Sequence, residues 1–189
     1  MKHWKEEVIG FYIARNALAT GEFKLAGGGT SDFYIDGRVV TTFPAALRSI
    51  ARAFRSIIEE NDLLPGDTNL VVPGGISGIP IGTALAIELD RPFVIDRGVQ
   101  KVHGLGKRFE GRFTDDPRCL LVDDLVTVGS TIIKTVLALR EEGYRVSDAV
   151  VVVDREEGGR EELAKLGVSL YSLVTKADLR RAIDGQLAG

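Results

Sequence analysis

Cys119-Leu120-Leu121-Val122-Asp123-Asp124-Leu125-Val126-Thr127-Val128-Gly129-Ser130-Thr131 joins an apolar run, two adjacent acids and a small polar turn, and it leads into Ile132, Ile133, Val136, Leu137 and Leu139 at helical spacing. The pattern predicts a strand over 119–122 that ends at the acids, then a turn, then a helix. A strand covered on both faces stays apolar until it ends, and open parallel sheets bind ligands at the carboxyl ends of their strands. The acids therefore stand where a ligand is met. Backbone amides from Thr127 to Thr131 can converge on a phosphate at the helix start, where the dipole favours negative charge. Gly129 allows the positive φ or close approach that such a turn needs. The hydroxyls of Thr127, Ser130 and Thr131 add donors. Two neighbouring carboxylates accept hydrogen bonds from vicinal sugar hydroxyls and orient water on a magnesium ion. A ribose 5-phosphate satisfies both halves. The plainer reading is an N-capping turn, with Ser130 or Thr131 as the cap. The chain has no G-x-x-x-x-G-K-[ST] motif for a nucleoside triphosphate and no G-x-G-x-x-G after a strand for a dinucleotide.

Outward from this stretch, apolar runs at 69–72, 92–95, 149–153 and 170–174 alternate with helical segments. Runs that are apolar throughout fit parallel strands, so the expected class is α/β, a mostly parallel sheet flanked by helices. Leu47, Ile50, Ala51, Phe54 and Ile58 recur at helical spacing opposite Arg48, Arg52 and Arg55, which marks an amphipathic helix. The first residues fall outside the alternation: a helix over 4–18, then short strands at 22–25 and 33–36. They are expected to form a small hood, about 1–42, on a core of about 43–189, within one domain.

The 189 residues leave no room for a second full domain, and 44% hydrophobic with 27% charged residues is ordinary globular usage. A net charge of −3 argues against a duplex nucleic-acid partner, which needs a basic face. No charge occurs from Leu70 to Ile87, but Pro73, Gly74, Gly75, Gly78, Pro80 and Gly82 interrupt that run, which argues against a membrane span. The lone Cys119 forms no internal disulfide and reads as a core hydrophobe in a reduced, cytoplasmic protein. Glycines number 22, against about 13 at an average usage of ~7%, and they gather between elements, as functional loops require. One such segment interleaves Arg97, Lys101, His103, Lys107, Arg108 and Arg112 with Gly98, Gly104, Gly106 and Gly111. Local positive charge in an acidic chain suits a lid over a polyanion, and a solvated surface loop is the alternative.

LLVDDLVTVGST (120–131) resembles the phosphoribosyl pyrophosphate (PRPP) motif of type I phosphoribosyltransferases. FKLAGGGTSDFYIDGR (23–38), GISGIPIGTALAIEL (75–89), DRGVQKVHGLGKRFEG (96–111) and VVVDREEGGREELAKLGVSLYSLVT (151–175) are similar, in order and spacing, to orotate phosphoribosyltransferases. The resemblance implies that orotate and PRPP, with magnesium, give orotidine 5′-phosphate and pyrophosphate in UMP biosynthesis. It also implies a homodimer.

The resemblance further assigns roles within the chain. Residues 123–131 (Asp123, Asp124, Leu125, Val126, Thr127, Val128, Gly129, Ser130 and Thr131) would hold PRPP, together with Arg97, Gly98, Lys101 and His103. Lys101, His103 and the acid pair would serve catalysis, His103 as a proton donor to the leaving group. Gly75, Ile76, Ser77 and Gly78 would form the pyrophosphate loop. Arg155, a planar fork for a carboxylate, would bind orotate with Thr127, Phe33 and Tyr34 beside it. A salt bridge to Glu156 or Glu157 is the other reading of Arg155, and hood packing that of Phe33 and Tyr34. One departure stands out: the family usually carries lysine where this chain has Gly98, and some members carry lysines where Ala26 and Ser77 stand. Lys107 or Arg108 is the expected substitute, and restoring lysine at 98 is expected to speed turnover. Transfer to another base, or PRPP binding without turnover, are the alternatives.

Overall fold

The structure is a computed structural model that describes residues 3–24, 30–73, 75–98 and 108–187. Helix α1 (His3–Ala14) leads to strands β1 (Leu18–Lys24) and β2 (Thr30–Ile35), an antiparallel pair forming its own two-stranded sheet. A short helix α2 (Gly37–Thr41) and the long α3 (Pro44–Glu60) follow. Then come β3 (Asn69–Pro73), α4 (Gly78–Leu89), β4 (Phe93–Asp96), β5 (Phe109–Glu110), β6 (Arg118–Val126), α5 (Ser130–Glu141), β7 (Arg145–Asp154), α6 (Gly159–Lys165), β8 (Ser169–Thr175) and α7 (Lys176–Leu187). The second sheet has the order β5-β4-β3-β6-β7-β8, parallel except for β5 at one edge. The α/β expectation holds. β5 is too short to read from sequence.

The period-two alternation of strands divides the core. Leu70, Val72, Leu120, Val122, Val150 and Val152 face a cluster with Tyr12, Phe33, Ile50, Phe54 and Leu85, from the N-terminal elements, α3 and α4. Val71, Cys119, Leu121, Ala149 and Val151 face Val136, Leu139 and Leu163, from α5 and α6. Cys119 is thus packed in the core, and burial pushes its thiol up to about 12. The α3 reading is met: Pro44 opens the helix, Ile50, Ala51, Phe54 and Ile58 are buried, and Arg48, Arg52 and Arg55 are exposed. Gly78 and Gly82 let α4 lie directly on β3, for a Cβ at Gly78 would sit 3.2 Å from the Pro73 carbonyl oxygen and one at Gly82 2.3 Å from Val72 Cγ2.

The strand order places the site. From β3 the chain crosses through α4 to β4 on one side, whereas β6 crosses through α5 to β7 on the other. The sheet's topological switch point is therefore the gap between the carboxyl ends of β3 and β6, where open α/β sheets leave a crevice. The turn after β3 and the turn after β6 both border it.

Candidate active site

At the switch point β6 outruns its neighbour. It pairs with β3 only as far as Leu121, yet continues beside β7 until Val126 meets Asp154. Both acids thus lie inside the strand rather than at its end, a correction to the expected 119–122. A cavity of about 320 Å³ opens beside this overhang, lined by residues 123–132 together with Pro73 and Gly75.

Gly129 is the N-cap of α5, with φ +79°, and among the described residues no side chain caps the helix. Ser130 and Thr131 are therefore not cap residues, and the first-turn amides of α5 remain available to an anion. The turn is held from the far side. Arg155 N–H donates to the Val126 carbonyl at 3.0 Å, and Gly159 N–H donates to that of Thr127 at 2.9 Å. Gly159 packs so closely that a Cβ there would lie 2.6 Å from the Thr127 carbonyl oxygen and 3.2 Å from the Gly129 nitrogen. Gly159→Ala is therefore expected to displace the turn: overpacking of this kind costs about 1–3 kcal/mol. Affinity for ribose 5-phosphate, measured by calorimetry, should fall, although residue 159 donates nothing to it. Unchanged affinity would mean that the turn does not hold the phosphate.

Asp123 is buried and Asp124 half-buried. The Asp124 N–H donates to Asp123 Oδ1 at 2.9 Å. Glycines make room for both carboxylates, since a Cβ at Gly78 would fall 2.7 Å from Asp123 Oδ1 and one at Gly37 3.1 Å from Asp124 Oδ2. Burial, followed by the charge of Asp124, pushes Asp123 well above the usual carboxylate range. Burial also raises Asp124, against the opposing pull of hydrogen bonds that include the Ser77 side chain. The buried hydroxyl of Tyr12 is raised by burial and then by the charges of Asp124 and Asp36. Among the described residues no three His, Cys, Asp or Glu side chains gather to hold a metal. Two carboxylates still fit magnesium, which takes one or two protein carboxylates and fills its other positions with water and phosphate oxygens.

In the turn after β3, Gly74 lies outside the described residues. Gly75 N–H is used by the Pro73 carbonyl at 2.8 Å, so this amide is not free for a leaving group as expected. Ile76 is 83% exposed, while Ser77 and Gly78 are buried.

The loop expected to close as a lid is described only at its two ends; Lys101, His103 and Lys107 lie outside the described residues. Asp96, at the end of β4, is 2% exposed and joins those ends. It accepts from Arg108 Nε at 2.7 Å and Nη2 at 2.8 Å, from Gly98 N–H at 2.8 Å, and from Thr135 Oγ1 of α5 at 2.6 Å. Arg97 N–H donates to the Arg108 carbonyl at 3.1 Å. Arg108 is thus spent on Asp96, which corrects its expected role as substitute for a lysine at 98. Gly98 has φ +77°, so a lysine there, with open space for its side chain, would still strain the backbone by about 1–2 kcal/mol. The expected gain from Gly98→Lys is reduced accordingly. Sequence reasoning missed Asp96, although an acid at the end of a parallel strand, directly before Arg97, was a usable signal.

On the base side, Arg155 is 6% exposed, and its Nε and Nη2 donate to Glu157 Oε1 at 3.2 and 3.1 Å. The salt-bridge reading is therefore realised in this structure. Phe33 is fully buried in the core, a correction to its expected place beside a base. Tyr34 points to the other face of β2, near Phe23, and accepts from Arg38 Nη2 at 3.1 Å. Of the four expected base contacts only Thr127 lines the cavity beside the 127–131 turn.

Residues 39–170 match the phosphoribosyl transferase domain family. The orotate phosphoribosyltransferase of Halobacterium salinarum is 40% identical over 174 residues, which are 92% of this chain and 95% of that protein. That of Pyrococcus abyssi is 39% identical over 178 residues, 94% of this chain and 96% of that protein. Among solved structures, the orotate phosphoribosyltransferase from Aeropyrum pernix is similar at a TM-score of 0.80 and 29% identity, covering 94% of this chain and 99% of that one.

Proposed function

The chain belongs to the orotate phosphoribosyltransferases of the phosphoribosyl transferase domain family, and from that premise we propose how its residues divide the work on PRPP and orotate. The observation that carries the reading is the acid pair running directly into an uncapped helix turn, both lining one cavity at the switch point. The 5-phosphate of PRPP sits on the amides of Val128, Gly129, Ser130 and Thr131, with hydroxyls of Thr127, Ser130 and Thr131 around it. Asp123 and Asp124 accept from the ribose hydroxyls, fixing the sugar with its C1 toward the turn after β3. Orotate is an anionic ring, and Arg155 meets its carboxylate by exchanging Glu157 for the substrate.

The orotate ring nitrogen then attacks C1 as the bond to the pyrophosphate oxygen breaks, with inversion at C1. Positive character grows on the ribose and negative charge on the departing oxygens. The chain contributes position and charge; no covalent intermediate on the protein is needed. Asp123 and Asp124 are the residues that would hold magnesium, which when bound would supply positive charge to the leaving group. Arg97, Lys101 and His103 supply more, the last as proton donor. The same reading makes the enzyme a cytoplasmic homodimer. Its support is the resemblance, and a monomer by light scattering would overturn the dimer.

Incubation with PRPP, magnesium and orotate should consume orotate, followed by its ultraviolet absorbance. In competition, orotate should be preferred over adenine and hypoxanthine. Absence of turnover at high enzyme with all three bases would reject catalysis.

A further inference from the structure

A second cavity of about 320 Å³ lies next to the first and shares Pro73, Gly75 and Thr131 with it. Its other walls are the latched base of the 97–108 loop and the next turn of α5, including Lys134 and Thr135. If the phosphate turn holds the 5-phosphate and the acids hold the ribose, the remaining polyanion of PRPP needs a neighbouring room with positive charge. This one is adjacent. It also borders the turn after β3, toward which C1 is directed.

Among the described residues three cations line the room, and they are not equivalent. Arg108 is neutralised by two hydrogen bonds to Asp96. Arg97 Nη1 is paired with Glu110 Oε1 at 3.1 Å, a half-exposed contact of the kind that is easily exchanged. Gly98 brings no charge, and its left-handed backbone serves the hydrogen bond to Asp96. Lys134 is exposed, and its side-chain ammonium has no hydrogen-bond or ion-pair partner among the described residues. It stands three residues after Thr131 and four after Ser130, and so shares their helix face. Its main chain is pinned, for Arg108 Nη2 donates to the Lys134 carbonyl at 3.1 Å and the adjoining Thr135 binds Asp96.

We propose that Lys134 binds the pyrophosphate end of PRPP and supplies the positive charge that Gly98 does not. The assignment rests on the transferase reading and adds a substrate contact to it. An ammonium in contact with phosphate oxygens acts in both the bound substrate and the product pyrophosphate, so the product alone is a sufficient probe. Titrate wild type, Lys134→Ala and Lys134→Arg with magnesium pyrophosphate, and separately with ribose 5-phosphate, by calorimetry.

Lys134→Ala should weaken pyrophosphate by about 10-fold or more, the usual effect of losing a hydrogen bond to a charged group. Ribose 5-phosphate should stay within about twofold, and Lys134→Arg should retain most of the pyrophosphate affinity. Wild-type pyrophosphate affinity in Lys134→Ala, in an enzyme that still consumes orotate, overturns the role of Lys134 alone. Equal weakening of both ligands also overturns it, because that pattern reports a distorted α5. A wild-type chain that binds neither ligand and consumes no orotate overturns the transferase reading and this proposal together.

Discussion

Asp123→Asn combined with Asp124→Asn lowers kcat/KM for PRPP by about 10²- to 10⁴-fold and leaves the unliganded chain no less stable. The first half follows from the chemistry of the pair. In the proposed binding mode each carboxylate would offer charge-assisted acceptors to ribose hydroxyls and to the hydration of magnesium, and such bonds contribute ~1.5–3 kcal/mol apiece. Two of them correspond to about 3–6 kcal/mol of transition-state stabilisation, at ~1.36 kcal/mol per tenfold change in rate.

The second half follows from what holding the pair costs. Burial raises both groups, and each carboxylate also bears on the other. An amide in each place removes the repulsion and keeps most of the volume. Melting temperature without ligand should therefore stay level or rise while activity collapses, the trade expected where a site is strained for function. Retained PRPP affinity would sink the site assignment. A large fall in melting temperature would show that the acids serve the fold instead.

How far the site could be read beforehand depended on whether the controlling contact is local. The turn 127–131 was legible because its signals are adjacent: apolar run, acids, glycine, hydroxyls. The end of its strand was not, because β6 is extended past Val122 by pairing with β7, where Val126 meets Asp154, 28 positions further along the sequence. In the N-terminal sheet, β1 starts at Leu18 and not at residue 22, and its pairing shifts between Thr20 and Phe23, so alternation breaks there. Phe33 and Tyr34 looked alike as aromatic neighbours. The register of β2, with Ser31, Phe33 and Ile35 inward, separates them. The bonds at Asp96 were hidden for the same reason, since its partners come from position 108 and from a helix 39 residues on.

That cluster carries the other large effect. Asp96→Asn should cost about 2–4 kcal/mol, because an amide nitrogen then confronts donors from Arg108 or Thr135 and the guanidinium loses its counter-charge. The low end of the usual range for broken buried pairs applies, since the Arg108 side chain is 20% exposed and can regain some water. For a chain of this size each kcal/mol moves the melting temperature by ~2–4 °C, so a fall of roughly 4–16 °C is expected. Acid titration supplies an independent signature. Burial alone would raise Asp96, but hydrogen bonds from Arg108, Thr135 and the Gly98 N–H outweigh it and hold the carboxyl below its ordinary value. A depressed folded pKa stabilises the native state above the unfolded value of ~3.9, and that stabilisation is lost as pH falls through the folded value. Wild type should therefore lose, below about pH 4, part of an advantage that Asp96→Asn never has, and the two melting curves should converge on acidification. Because the same carboxylate orients Gly98, Arg108 and the Lys134 turn, kcat/KM for PRPP should fall as well, with orotate affinity less affected. Parallel melting temperatures from pH 7 to 3 would show that the four hydrogen bonds at Asp96 do not hold the loop base to α5.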